Sequence, residues 1–573
     1  MSRIKKVFFL TLSLLLCTSV FANDLKRHMN ADLDFIKEIF EIKYAPLEWK
    51  KSYANWDLDE QIELAKAKVA SLDNPTAKDF RPILTHFFNS TGDYHVKPFF
   101  YSTEEAQLPF TVQCAEGRYF FAHIERNFFG FTKHSFSVGD EILAFDGRAP
   151  EEVVQELLQQ QGCCNTPETD RELTILKLTH RQGKDGDLVP RGPITITVKE
   201  RDTGAVIDHT FTWRYAREKV KEPRQKSARL LKMGGGFVGS DHKSSKKKSF
   251  FNHLMLSPHW FLQGDAKKCQ NPHLLGARKG YLPDLGHRLW QTSFNHNFDA
   301  YIYQTDGGKL VGYIRIPHYM CDEEEAQEFE QVMHMFDKHT DMLVIDQINN
   351  SGGSVFYLYA LASMLTDRYM HTPQHHIALT QEEVMIAQDT LENLDDVVDD
   401  HSAQQLLGES LGGYAIDYEF AQKMRQFCNF ILKEWQSGHY LTKPIFFFGV
   451  DDIKPHPRVQ YTKPILLLIN SLDFSGGDFF PAILQDNGRA MVMGTRTAGA
   501  GGIMLDTEFY NRVGLANFIL TGSLAMRSNN HPIENLGVVP DIQYDLTCDD
   551  LRYNYRDYKK KILSTVDEIL LQE

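Results

Sequence analysis

A serine followed by two glycines, set between an apolar run and a helical pattern, is the stretch of this 573-residue chain best suited to chemistry. Pro464 to Asn470 reads as a buried strand, and Phe479 to Asp486 has helical spacing with Asp478 at its head. Ser471-Leu472-Asp473-Phe474-Ser475-Gly476-Gly477 is therefore a tight strand-to-helix turn. Glycines after Ser475 let a substrate carbonyl approach the backbone. Unpaired amides at the head of the following helix stabilise negative charge that develops beside the hydroxyl. That is a nucleophile's environment, although the same turn would equally suit a serine that only caps the helix.

A second unit of the same design lies upstream. Asp341 to Asp346 is a strand, Asn349-Asn350-Ser351-Gly352-Gly353 a glycine turn, and Ser354 to Leu365 a helix. Sites in α/β sheets form at the carboxyl ends of strands, so one turn would carry the hydroxyl and the other the amides. The region that must position them, residues 271–573, alternates strands and helices: Leu310 to Ile316, Glu323 to Lys338, Met342 to Ile345, Val355 to Leu365, a long helical region to Gln436, and then the serine unit.

Ahead of this core the chain changes character three times. Residues 23–105 are helical to about Phe88, then turn at Asn89 to Asp93 and enter a strand-like run that begins with His95. A single histidine there is more often structural than catalytic. Residues 106–216 are strand-rich, with Tyr119 to Ile124, Ile194 to Lys199 and His209 to Trp213 as strands, a helix over Pro150 to Gln161, and an Asp146-Gly147 turn. The block from Val138 to Gly147 resembles PDZ domains, which bind extended peptides at a sheet edge; the alternative is a plain small β domain. Residues 217–270 are basic and poor in buried-type residues, which suits a solvated, protease-accessible linker better than a nucleic-acid contact in a chain of net charge −14. Within that linker the apolar Phe250 to Leu256 needs a burial site.

Met1 to Ala22 has the basic start, apolar centre and small-residue end of a secretory signal, so export to the periplasm, the medium or a host cell is expected. No later run is long enough to span a bilayer, and stable membrane insertion is not expected. Seven cysteines follow the leader, at 114, 163, 164, 269, 321, 428 and 548, an odd number without framework spacing. The histidines lack metal-site spacing, so neither a metal nor another cofactor is expected.

The PDZ-like block, Asp346 to Gly353, the Ser475 turn, Gly494-Thr495-Arg496-Thr497-Ala498-Gly499 and Asn535 to Asp541 occur in an order that resembles the C-terminal processing (tail-specific) serine peptidases. Thr91 to His95, Asp473 to Leu484, Gly494 to Gly502 and Ile533-Glu534-Asn535 are similar to a chlamydial branch of that family. The resemblance implies an α/β multidomain protein: a helical N-terminal region, a PDZ-like domain and a crotonase-like catalytic core. Tail-specific enzymes activate serine with a lysine where this chain has Ala500. In the chlamydial branch the base is a histidine and the third member a glutamate, in the motifs that here hold His95 and Glu534. The resemblance thus implies Ser475 as nucleophile, His95 as general base and Glu534 as its orienter, a set that chemistry supports. Gly352, Gly353 and Gly476 are the candidate oxyanion donors.

The resemblance further implies a zymogen that cleaves itself between about Arg217 and Lys268, a homodimer after activation, and protein substrates, host proteins of an intracellular bacterium among them. A catalytically silent peptide- or apolar-ligand-binding protein on the same fold is the alternative; it would not need hydroxyl, imidazole and carboxylate in three separate motifs. An α/β-hydrolase esterase fits poorly, because Phe474-Ser475-Gly476-Gly477 is not a Gly-x-Ser-x-Gly elbow and His95 precedes the serine.

Overall fold

The structure, a computed structural model, describes residues 24–126, 136–161, 165–219, 271–320, 323–508 and 510–572. The expected leader at 1–22 and the expected linker beyond residue 219, Phe250 to Leu256 included, lie outside the described residues, as do Cys163, Cys164, Cys269 and Cys321.

A seven-stranded sheet forms the core, and its spatial order follows the chain: Trp290–Gln291, Ala300–Gln304, Leu310–Arg315, Met342–Asp346, Ile465–Ile469, Met491–Gly494 and Ile542–Gln543. The first three pair antiparallel and the rest are parallel. Met342–Asp346 and Ile465–Ile469 are buried at every position, as the unbroken apolar runs require of strands covered on both faces. Leu343, Ile345, Leu467 and Ile469 face a layer built with Phe329, Phe336, Phe480 and Ile483, which come from helices Glu323–His339 and Gly476–Asp486. Val344, Leu466 and Leu468 face Tyr558, Ile562 and Val566 of the terminal helix Arg556–Leu571.

The parallel register places Arg315 beside Asp346 and Asp346 beside Leu468, so the two glycine turns leave the same edge of the sheet. Beneath them Arg315 anchors the approach to the first turn. It donates from Nη1 to Asp346 Oδ1 at 3.0 Å, from Nε to the Ala277 carbonyl at 2.9 Å and from Nη2 to the Ile348 carbonyl at 2.9 Å. Tyr313 Oη donates to the other Asp346 oxygen at 2.6 Å.

Four N-terminal helices, 24–43, Leu47–Ala54, Leu58–Ser71 and Ala77–Ser90, pack Phe40, Phe87 and Phe88 against Leu515, Phe518 and Leu520. Thr76 and Asp79 form a capping box at the start of Ala77–Ser90. After that helix the chain turns through Gly92 and enters Lys97–Phe100, which pairs antiparallel with Leu515–Thr521. His95 is therefore held between a packed helix and a paired strand.

Residues 110–212 contain a five-stranded antiparallel sheet, Phe110–Ala115, Arg118–Ile124, Glu141–Phe145, Pro193–Lys199 and Val206–Thr212, with helices Pro150–Gln161 and Pro167–Lys177. Asp146 and Gly147 both have positive φ, as their Asp-Gly pairing demands. The region up to Gln436 differs from the expected long helical stretch. Strands Met370–His371 and Gln374–Ile377 and a small hairpin of Ser410–Leu411 with Tyr414–Ala415 interrupt helices Gln381–Leu394, Asp400–Leu407 and Tyr418–Gln436. Pro373, Gly408 and the Gly412-Gly413 pair break the helical run, and Thr380, Asp399 and Asp417 cap the three helices.

Arg315→Met would leave Asp346 buried without its cation. Urea unfolding should show a loss of roughly 3–5 kcal/mol, and a loss below about 1 kcal/mol would mean that the pair does not hold the turn.

Candidate active site

Ser475 sits between the end of strand Ile465–Ile469 and the start of helix Gly476–Asp486, with φ 55° and ψ −111°. A serine in the left-handed half of the map is strained and persists only where its surroundings over-determine it. Two buried aspartates do so. Asp473 accepts from the Asn350 amide at 2.8 Å on one oxygen, and on the other from the Asn470 amide at 3.1 Å and Gln347 Nε2 at 3.0 Å. With the Phe474 amide donating to the Asn350 carbonyl at 2.9 Å, the two glycine turns are clasped back to back. Asp478 accepts from the Ser475 amide at 2.9 Å, from Thr497 Oγ1 at 2.5 Å, and from the Gly499 and Ala500 amides at 2.8 and 3.0 Å. It thus ties the serine turn to the segment Gly494 to Gly501. Burial raises both carboxyls, Asp473 well above its usual range and Asp478 to about 6.

The approach between the turns admits no side chains. A Cβ on Gly352 would lie 2.5 Å from the Phe474 carbonyl oxygen and 2.8 Å from Ser475 Cβ, and one on Gly353 would lie 2.1 Å from the Tyr319 carbonyl carbon. A Cβ on Gly476 would lie 3.2 Å from the Gly353 nitrogen, so these two backbones face each other. The Gly353 and Gly476 amides donate no hydrogen bond among the described residues. Gly352 is different. Its amide donates to Asn350 Oδ1 at 2.8 Å and is already engaged in this conformation.

His95 is fully buried in the loop beside this turn. Its amide donates to Asp93 Oδ1 at 2.9 Å, and the preceding Tyr94 ring meets Phe474 edge-on with centroids 5.5 Å apart. The neighbours of His95 and Ser475 in sequence are therefore in contact in space. Neither ring nitrogen of His95 has a hydrogen-bond partner among the described residues. Burial lowers its pKa to about 4, with Asp93 pulling upward and the Lys50 charge pushing down.

Glu534 is also fully buried, but its oxygens are engaged elsewhere. Oε1 accepts from Lys50 Nζ at 2.5 Å and Oε2 from the Gly501 amide at 3.2 Å. Burial raises the carboxyl to about 8, the Asp93 charge adding to this and Lys50 opposing it. Glu534 is thus not joined to the His95 ring, whose nitrogens have no partner among the described residues.

Lys50 is the partner that sequence reasoning missed. It has no exposed surface, and its ammonium donates to Glu534, to the Gly92 carbonyl at 2.7 Å and to Asn535 Oδ1 at 2.7 Å. Asn535, at φ 65°, uses its whole amide: Oδ1 also accepts from Trp49 Nε1 at 3.0 Å, and Nδ2 donates to the Gly92 carbonyl at 2.7 Å and Asn165 Oδ1 at 2.6 Å. The one available sequence signal was weak: Lys50 shares a helix face with Leu47, three residues earlier.

Comparison with known proteins places this arrangement. Residues 310–544 match the family model "Peptidase family S41" and residues 104–220 the model "PDZ domain". An uncharacterized protein of Chlamydia muridarum is 37% identical over 568 residues, which cover 94% of this chain and 92% of that protein. The chain belongs to peptidase family S41. A Chlamydia trachomatis protein is 36% identical over 94% of this chain and 92% of its own length. The solved structure of mature CPAF complexed with lactacystin superposes with a TM-score of 0.81 at 34% identity, covering 96% of this chain and 99% of that one. This family member is an α/β multidomain serine peptidase with a PDZ domain, and peptides are its substrates. Among the described residues no helix is long and apolar enough to cross a membrane.

For a peptidase working through His95 and Glu534, neutral imidazole is available from about pH 4 upward, whereas the carboxylate is available only as the pH approaches about 8. kcat/KM should rise toward that pH as one carboxyl ionises, and the limb should vanish in Glu534→Gln. A limb near 6.5 that survives in Glu534→Gln would assign it to histidine instead.

Proposed function

We propose that this family S41 peptidase is an exported serine endopeptidase, made as a self-cleaving zymogen, that hydrolyses proteins through Ser475, His95 and Glu534. The observation that carries the reading is the forced conformation of Ser475, clasped at a helix N-terminus opposite the Gly353 amide.

In this mechanism Ser475 Oγ attacks the scissile carbonyl and His95 takes the hydroxyl proton. Negative charge on the carbonyl oxygen falls to the Gly353 and Gly476 amides, each contributing on the order of 3 kcal/mol to transition-state stabilisation. Glu534 steadies the imidazolium, which then protonates the leaving amine; water, activated by the same histidine, releases the acyl group. His95 is buried and neutral, as a resting base must be. Turning its ring onto Ser475 Oγ and Glu534 is the rearrangement that activation has to supply.

Self-cleavage between about Arg217 and Lys268, with both fragments staying together, is drawn from likeness to the chlamydial branch; the basic, protease-accessible composition of that segment suits it, and the relative's structure is described as mature. Export follows from the leader-like Met1 to Ala22. A homodimer after activation, and host proteins as substrates of a virulence factor, are the readings drawn from likeness to the chlamydial branch.

The chain from Asn23 onward should be purified beside Ser475→Ala and followed by gel and intact mass with casein. Wild type should split in the basic segment and then degrade casein, and the variant should do neither. If both stay intact, and remain inert after the segment is cut by an added protease, the endopeptidase reading fails.

A further inference from the structure

The Lys50–Glu534 pair has no role in a Ser/His/Glu scheme, yet it is the most enclosed ion pair at the site, with neither side chain exposed. Lys50 comes from the helix Leu47–Ala54, more than 480 residues before Glu534 in the chain. Its three donors have three acceptors, Glu534 Oε1, Asn535 Oδ1 and the Gly92 carbonyl, so no ammonium hydrogen is left over. The third of these belongs to the loop that carries His95.

The charged and titratable groups packed around Glu534 are few. Asp93 lies on the His95 loop, with Oδ2 accepting from Tyr44 Oη at 3.0 Å and Thr521 Oγ1 at 2.7 Å. Tyr44 is held neutral, its pKa raised well above the usual value by burial. His95 is neutral at rest, and the Gly499–Gly501 segment offers only backbone amides. When Glu534 ionises, its carboxylate and that of Asp93 face one ammonium, a buried cluster of net charge −1. Without Lys50 the cluster would be −2, and burial resists that.

We propose that Lys50 is a positioning residue for proteolysis: it pins the Glu534 carboxylate against the Gly501 amide and sets the buried cluster at a single negative charge, which is neutralised when His95 takes the Ser475 proton. The proposal rests on the triad reading above. Lys50 acts through Glu534 and His95 and touches no substrate. The same contact to the Gly92 carbonyl links the position of the His95 loop to the carboxylate that must receive it. No covalent step is involved, and the only proton that moves goes from Ser475 Oγ to His95.

The test uses the chain from Asn23 onward, with its basic segment cut by added trypsin and the trypsin then blocked. A fluorophosphonate probe reads the rate at which the serine hydroxyl is activated. Wild type, Lys50→Met, Glu534→Gln and the double variant are compared across pH. Lys50→Met should slow labelling roughly tenfold near neutral pH and move the acid limb upward by about one unit, because Glu534 then holds its proton more tightly. In the Glu534→Gln background Lys50→Met should cost no more than about twofold, since the partner it acts through is already neutral.

A uniform slowing by Lys50→Met with no movement of the limb, or a further tenfold loss in the double variant, would overturn the proposal. If Lys50→Met alone does not fold, as circular dichroism would show, Glu534→Gln against the double variant still decides, because in neither is a Glu534 carboxylate left buried without its cation. Full-rate labelling of Glu534→Gln would instead overturn the triad reading itself.

Discussion

Two backbone turns pressed together with no room for a Cβ are the constraint from which the rest of this site follows. Asp473 supplies the clasp, taking amide hydrogens from Asn350 and Asn470 on its two oxygens, and Gln347 bridges it to the Gly477 carbonyl. The parallel register of Met342–Asp346 with Ile465–Ile469 delivers both turns to the same sheet edge. With that contact made, Ser475 has nowhere to go but the left-handed region. Strain at one residue costs on the order of 1–3 kcal/mol, and the clasp, the Asp478 clamp and the fully buried strands beneath offset it. The hydroxyl is thereby presented beside two backbone amides.

The proposed acid–base half of the site is assembled differently. Its groups come from the ends of the chain: Lys50 and His95 from the N-terminal helical region, Glu534 and Asn535 from the segment before the last core strand. They meet because Lys97–Phe100 pairs with Leu515–Thr521 and because the helices pack Phe87 and Phe88 on that strand. A buried ion pair such as Lys50–Glu534 contributes little net stability compared with apolar residues of like volume, while losing one partner costs roughly 3–5 kcal/mol. Such a pair is economical only where a fixed charge is needed. Here its charge is felt by an imidazole whose ring nitrogens have no partner among the described residues and which is neutral.

Much of the core was legible because apolar runs and glycine turns have local causes. The helix Pro150–Gln161 and the strand–turn–helix around Ser475 appear where period and punctuation place them. His95 and Glu534 were legible only through resemblance; neither residue has a local pattern that marks chemistry. The strands within residues 370–415 were missed in what was read as a long helical region, because they are two to four residues long, too short to show alternation. Lys50 was barely marked in the sequence because its partners Glu534 and Asn535 lie more than 480 positions away. Nor can sequence show that Asn350, two residues before Gly352, turns its side chain back to accept from the Gly352 amide.

The central claim is that Ser475 is a nucleophile whose proton His95 removes. Its most direct test is peptide mapping of the chain after reaction with a fluorophosphonate, for wild type and for His95→Ala. The account predicts a single adduct, on the peptide carrying Ser475, formed at least roughly 10²-fold faster in wild type than in the variant. An adduct on another serine, or equal rates in the two proteins, would contradict it.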